Sequence, residues 1–117
     1  LELLKYGRHF RISPTARVIV GRNEKDNSAL QTLIRAGDTV LRMASVPGPL
    51  VLIPGGGTEA ETATAARLCV LYSDAVKGEA ADILIVKGNE SRRGSFAAAD
   101  REEACAWIIQ QTRASQR

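Results

Sequence analysis

The segment Leu50-Val51-Leu52-Ile53 constrains the fold most. Four apolar residues stand without a break between Pro47-Gly48-Pro49 and Pro54-Gly55-Gly56-Gly57. The run is too short for a helix, and the flanking prolines and glycines stop it at both ends. An unbroken apolar run of this kind is a central strand, buried on both faces of a sheet. The rest of the chain must therefore supply its neighbours and its covers.

The neighbours are legible from period. Arg8-His9-Phe10-Arg11-Ile12 alternates, with Phe10 and Ile12 on one face and His9 and Arg11 on the other. Ser13-Pro14-Thr15 is a turn, and Ala16-Arg17-Val18-Ile19-Val20 is the second arm of a hairpin. Thr39-Val40-Leu41-Arg42-Met43 and Asp82-Ile83-Leu84-Ile85-Val86-Lys87 are two further strands, the latter buried. Between them lie helices. Asn23 or a near neighbour caps one over about residues 24–36, with Leu30, Leu33 and Ile34 as its stripe and Asn27 one turn earlier on the same face. Thr58-Glu59-Ala60-Glu61 is a capping box that opens a second, running to about residues 72–75. Its face carries Ala65, Leu68, Cys69 and Tyr72. Asp100-Arg101-Glu102-Glu103 reads as another capping box before a third helix with Ala104, Trp107, Ile108 and Gln111 on one side. Residues 88–99, which hold Arg92-Arg93-Gly94, read as irregular, and residues 113–117 as a frayed end.

The expectation is one domain over residues 1–117, of α/β or α+β class. Its order is β-β-α-β-β-α-β-α, a mixed five-stranded sheet with three helices. The hairpin is antiparallel. The β-α-β passages admit parallel pairs, and strand order stays open. The chain begins at Leu1 without an initiator Met or a secretory pattern, and reads as the C-terminal fragment of a longer protein. Without a secretory signal or a disulfide pattern, the cytoplasm is the default compartment. No apolar run approaches the ~20 residues of a bilayer span.

Charge is placed unevenly. The net charge is +3, yet residues 1–58 carry eight Lys/Arg against four acids, while residues 59–117 carry eight against nine. Twelve of the sixteen bases are Arg, which pairs bidentately with phosphate. A polyanion partner fits this distribution; so does a solvated Arg-rich face. Arg11 and Arg17 both point away from the apolar face of the hairpin, so these two can line a phosphate track, and Arg8 is a further phosphate candidate. Arg92 and Arg93, in the irregular segment, are further candidates for phosphate contact.

Other chemistries have weaker support. Residues 55–58 join a strand to a helix start, where backbone N–H groups can hold phosphate. No Walker Lys follows, however, and Glu59 and Glu61 oppose an anion. His9 is the only histidine, which excludes a two-histidine metal site, and between Arg8 and Arg11 it fits an exposed polar strand face. Cys69 falls on an apolar helix face as a core residue, and Cys105 has Glu102 and Glu103 beside it. No metal or cofactor is expected. Tyr6, Phe10, Tyr72, Phe96 and Trp107 leave no strand with paired aromatics, so recognition through backbone and shape fits better than a base-stacking platform.

Several short motifs in one order resemble a known family. They are Gly21-Arg22-Asn23 with Asn27 four residues on, Asp38-Thr39-Val40-Leu41-Arg42, Val46-Pro47-Gly48-Pro49, and Ala65-Ala66-Arg67-Leu68-Cys69-Val70-Leu71-Tyr72-Ser73. The run is similar to the NFACT-R domain over roughly residues 7–88. That resemblance implies a non-catalytic RNA-binding module. Leu41-Arg42 stands where the longer family form has Trp-Phe-His, and the Lys-rich strands of that form are lacking. The chain looks more like the short bacterial form, the C-terminal domain of proteins resembling tRNA 2-thiouridylases. The resemblance then implies tRNA or other structured RNA as partner, and an upstream PP-loop ATPase domain that uses ATP and Mg. By position, Gly21, Arg22, Asn23, Asn27, Pro47 and Gly48 form the family-like surface, with Gly21 and Gly48 as backbone necessities. A docking or dimerisation module for the parent's catalytic domain is the competing function, and a nucleotide site at residues 55–58 the third.

Overall fold

The computed structural model describes residues 6–108. It contains β1 (Arg8–Ser13), β2 (Ala16–Val20), α1 (Glu24–Thr32), β3 (Thr39–Met43), β4 (Val51–Ile53), α2 (Glu59–Leu71), β5 (Ala81–Lys87), β6 (Glu90–Phe96) and α3 (Arg101–Trp107). The six strands form one sheet in the order β1-β2-β4-β3-β5-β6. Every neighbouring pair is antiparallel. β4 is interior and wholly buried, as its unbroken apolar run requires.

Two cores follow from the alternation along the strands. Ile19, Leu52 and Val40 share one face with Leu50 and are covered by Leu30 of α1. Val18, Val20, Val51, Ile53, Leu41, Ile83 and Ile85 share the other with Leu68 and Cys69 of α2 and Ala104 of α3. Fully burying side chains of this size contributes about 1.5–3 kcal/mol each before the entropy of ordering them is subtracted. α2 opens with the capping box read from the sequence: Thr58 Oγ accepts from Glu61 N at 3.1 Å, and Glu61 Oε1 accepts from Thr58 N at 2.9 Å.

The structure departs from the sequence reading in five places. Residues 90–96 are a sixth strand, because their backbone completes the exposed edge of β5 over seven register pairs. The sheet is antiparallel throughout, since α1 and α2 cross the sheet between strands that do not lie side by side in parallel. α1 stops at Thr32 rather than at residue 36. There the Asp38 carboxylate accepts from Arg35 N at 2.9 Å, Asp38 N donates to Arg35 O, and Gly37 adopts φ +90°. That local turn competes successfully with another helical turn. Asp100 caps α3 alone, accepting from Glu102 N at 2.8 Å, without a reciprocal Glu. His9 is buried, not exposed, with Nε2 3.2 Å from the carbonyl oxygen of Tyr6, which packs on the α1-side core. Gln111 and residues 113–117 lie outside the described residues.

Candidate nucleic-acid interface

Gly21-Arg22-Asn23 leads out of β2 into α1, and each residue there has a distinct structural task. Gly21 N donates to Leu50 O at 3.0 Å, and Asn27 Oδ1 accepts from Leu50 N at 3.1 Å. The backbone just before β4 is thus held on both its donor and its acceptor. Asn27 lies so close to Gly21 that a Cβ there would sit 1.9 Å from Asn27 Oδ1. Only glycine fits. Asn23 Oδ1 accepts from Asp26 N at 2.9 Å and caps α1.

Asp26 is the buried centre of this loop. Its Oδ2 accepts from Gly7 N at 3.1 Å, Arg22 N at 3.1 Å and Arg22 Nε at 2.7 Å. The Arg22 hydrogen bond holds the Asp26 carboxyl below the usual carboxylate range, aided by the backbone donors and opposed by burial. The same bond raises the pKa of Arg22. Arg22 Nη2 also donates to Asp26 Oδ1, at 3.4 Å, and the side chain remains 48% exposed.

The Pro47-Gly48-Pro49 turn is fixed from α2. Asp74 N donates to Pro47 O at 2.9 Å, and Cys69 Sγ lies 3.7 Å from Pro49 O. A Cβ on Gly48 would come within 2.4 Å of Met43 Cγ and 2.9 Å of Ser73 Cβ. Burial pushes the Cys69 thiol up to about 12, so it stays protonated as a core residue.

Between these two segments lies an open cleft of ≈ 290 Å³. Gly21, Arg22, Asn23, Asn27, Pro47, Gly48 and Tyr72 line it, together with the carboxylates of Glu24 and Asp74. The Arg8 guanidinium stands 4.8 Å over the Tyr72 ring, which in turn meets Phe10 at 6.0 Å. That stacking fixes a cation beside the cleft. A second cleft of ≈ 270 Å³ shares Asn27 and the Pro-Gly-Pro turn and leads to Arg42.

The remaining candidates lie elsewhere. Arg11 and Arg17 are register partners on the α1 side of the hairpin, toward the opposite end of the strands from Gly21. Arg11 and Arg17 thus share one outward face, and Arg8 is on the other. Arg92 and Arg93 belong to β6 rather than to a mobile loop, and neighbouring residues of a strand point to opposite faces. Arg92 faces the α2 side and pairs with Glu59 at 2.9 Å. Arg93 is opposite Leu84 on the α1 side. Tyr72 and Arg42 were not picked from the sequence as site residues. The period of β3 already turns Arg42 outward, whereas nothing local places Tyr72 beneath Arg8.

Three of the four backbone N–H groups of the loop at residues 55–58 are already engaged within the fold. Gly55 N already donates to Asp38 Oδ1 at 2.8 Å, Gly56 N to Ile53 O at 3.0 Å, and Thr58 N to Glu61. Among the described residues no group of three or more His, Cys, Asp or Glu is placed to hold a metal ion, and no helix is long and apolar enough to cross a membrane.

The profile of the NFACT protein RNA-binding domain matches residues 7–108. The chain belongs to that family. The match runs through α3, beyond the motifs that carry the resemblance in sequence. This NFACT-type RNA-binding domain also shares its fold with a solved structure, that of the C-terminal part of the fibronectin/fibrinogen-binding protein from Streptococcus suis. The two superpose with a TM-score of 0.78 at 14% identity, over 89% of this chain and 49% of that one. The domain thus spans about half of the structure it resembles. No curated protein matches it.

Proposed function

We propose that this NFACT-type domain binds structured RNA, with tRNA as the partner, through the cleft between the Gly21-Arg22-Asn23 loop and the Pro47-Gly48-Pro49 turn. One observation carries the reading. The cleft gathers Arg22, the Arg8–Tyr72 stack, Asn23 and Asn27 on backbone that is itself hydrogen-bonded in place. Two guanidinium groups on a rigid rim suit phosphate, and Tyr72 offers an aromatic surface beside them. Arg11, Arg17, Arg92 and Arg93 then act as outlying contacts with the polyanion.

The domain carries no reaction of its own in this reading. It holds tRNA for a modifying protein that resembles a tRNA 2-thiouridylase, whose upstream PP-loop domain uses ATP and Mg, in the cytoplasm. The test is a titration with labelled bulk tRNA at two salt concentrations. Micromolar affinity that falls steeply with salt is expected, because neutralised phosphates release counterions. Arg22→Gln with Arg8→Gln should weaken binding and lower the salt slope by about 1–2. Unchanged affinity in that double variant would refute the site. Absence of tRNA binding at low salt would refute the function and favour the docking module.

A further inference from the structure

A third groove lies on the α1 side of the sheet. α1 covers β2, β4 and β3 but leaves β5 and β6 open, so Leu84 and Val86 stay half exposed on a face where Val40 is buried. Val40 and Val86 are cross-strand partners. They floor a groove of ≈ 410 Å³ whose wall is Gln31, Ile34 and Arg35 and whose rim includes Arg42. Its lining is more apolar than that of the Arg22 cleft, and its volume falls in the range of small-ligand sites.

The exposed charges of its lining have one sign. Arg35 and Arg42 are exposed. Asp38 is the one acid among the lining residues. Both its oxygens are engaged by backbone donors, Gly55 N at 2.8 Å and Arg35 N at 2.9 Å. Arg42 donates to Gln31 Oε1, which sets a guanidinium and an amide side by side at the rim. Arg42, Leu84 and Arg93 are successive partners across β3, β5 and β6 on this same face. Two strand spacings put Arg93 roughly 10 Å beyond Arg42. Arg42 also lines the second cleft, which adjoins the Arg22 cleft through Asn27.

We infer that this groove takes an unpaired nucleotide of the bound RNA. The inference rests on the reading of the domain as an RNA binder. A splayed base has an apolar face for Ile34, Val40 and Val86 and polar edges for Gln31, while the flanking phosphates meet Arg35, Arg42 and Arg93. A base paired in a duplex cannot enter, because its Watson–Crick edge is paired and both its faces are stacked. The groove therefore adds single-strand preference to a cleft that reads backbone.

The experiment uses the whole chain with labelled methyl groups. It compares a single-stranded A/U heptanucleotide with the duplex made from it and its complement. The single strand should shift the methyl resonances of Ile34, Val40 and Val86, and the duplex should leave them in place. Arg35→Gln with Arg42→Gln should lower single-strand affinity about tenfold, through the loss of two phosphate contacts. Both side chains are exposed, so the variant folds. Arg101→Gln, at the start of α3 on the other face, is the control and should bind as the parent does. Groove methyls that ignore the single strand while tRNA still binds overturn the groove and spare the RNA reading. Equal shifts with single strand and duplex also overturn it. Failure of every RNA to bind removes both.

Discussion

Asp26→Asn tests how the loop beside the cleft is held. The side chain keeps its shape and loses its charge. In the native loop Asp26 accepts from two backbone donors, Gly7 N and Arg22 N, and from the Arg22 guanidinium. An asparagine carbonyl serves only part of that set, and its NH₂ turns toward donors. One poorly satisfied buried N–H costs about 1–2 kcal/mol. The lost charge-assisted bond costs about 1–1.5 kcal/mol, the low end because Arg22 is half exposed. The total is about 2–4 kcal/mol, a large share of the 5–15 kcal/mol that stabilises a domain. In urea, with a slope of roughly 1.5–2 kcal/mol/M for a chain of this size, the midpoint should fall by about 1–2 M. The effect should depend on pH with a definite sign. Asp26 titrates below its unfolded value, so its contribution is complete above the ordinary carboxylate range and fades as pH falls through the lower folded value. The gap between native and variant midpoints should therefore narrow on acidification. A midpoint shift below about 0.3 M at pH 7, or a gap that widens in acid, would refute the account.

Two further outcomes follow from the same geometry. Gly21→Ala should drive Asn27 off Leu50 N, since the new Cβ has 1.9 Å to Asn27 Oδ1. The expected loss is about 2–3 kcal/mol, read as a fall of roughly 8–15 °C in thermal midpoint, and an unchanged midpoint would sink the close-approach argument. A thiol reagent at neutral pH should modify Cys105, which is exposed, at once, and Cys69, buried and with its pKa near 12, only on unfolding. Two fast-reacting thiols in the native state would mean that α2 does not seat on the sheet as described.

The sequence carried the elements whose causes are local. β1 and β2 show in alternation, β4 in its apolar run, and α2 in the Thr58–Glu61 box. β6 was hidden because Glu90 to Phe96 has almost no apolar alternation. It is a strand because β5 presents an unpaired edge, which is a tertiary cause. His9 was misplaced for the same kind of reason, since Tyr6 packs beside a strand face that the sequence shows as polar. In the site, the motif positions Gly21, Arg22, Asn23, Asn27, Pro47 and Gly48 do converge on one cleft. Of the other arginines, Arg11 and Arg17 do lie opposite one another on one face of the hairpin, while Arg8 points to the other face and Arg92 and Arg93 to opposite faces of β6.

Of the residues that make the motif recognisable, only Arg22 presents an exposed cation to a ligand, and the others serve the fold. Asn23 bonds Asp26 N, Asn27 bonds Leu50 N, and Gly21 and Gly48 are small because neighbours approach. The side-chain oxygens of both asparagines are thus committed within the fold, and the two glycines have no side chain to offer. What they leave exposed are Arg22, held by Asp26, and Arg8, held over Tyr72. The two classes should separate on measurement. Changes at Gly21 or Asn27 should lower stability, and RNA affinity should fall only with the folded fraction. Changes at Arg8 should weaken RNA binding while moving stability by no more than the roughly 0.5–1 kcal/mol of one cation–π contact. A chain built this way can change its RNA by exchanging exposed arginines while the loop, the cap and the turn that present them stay as they are.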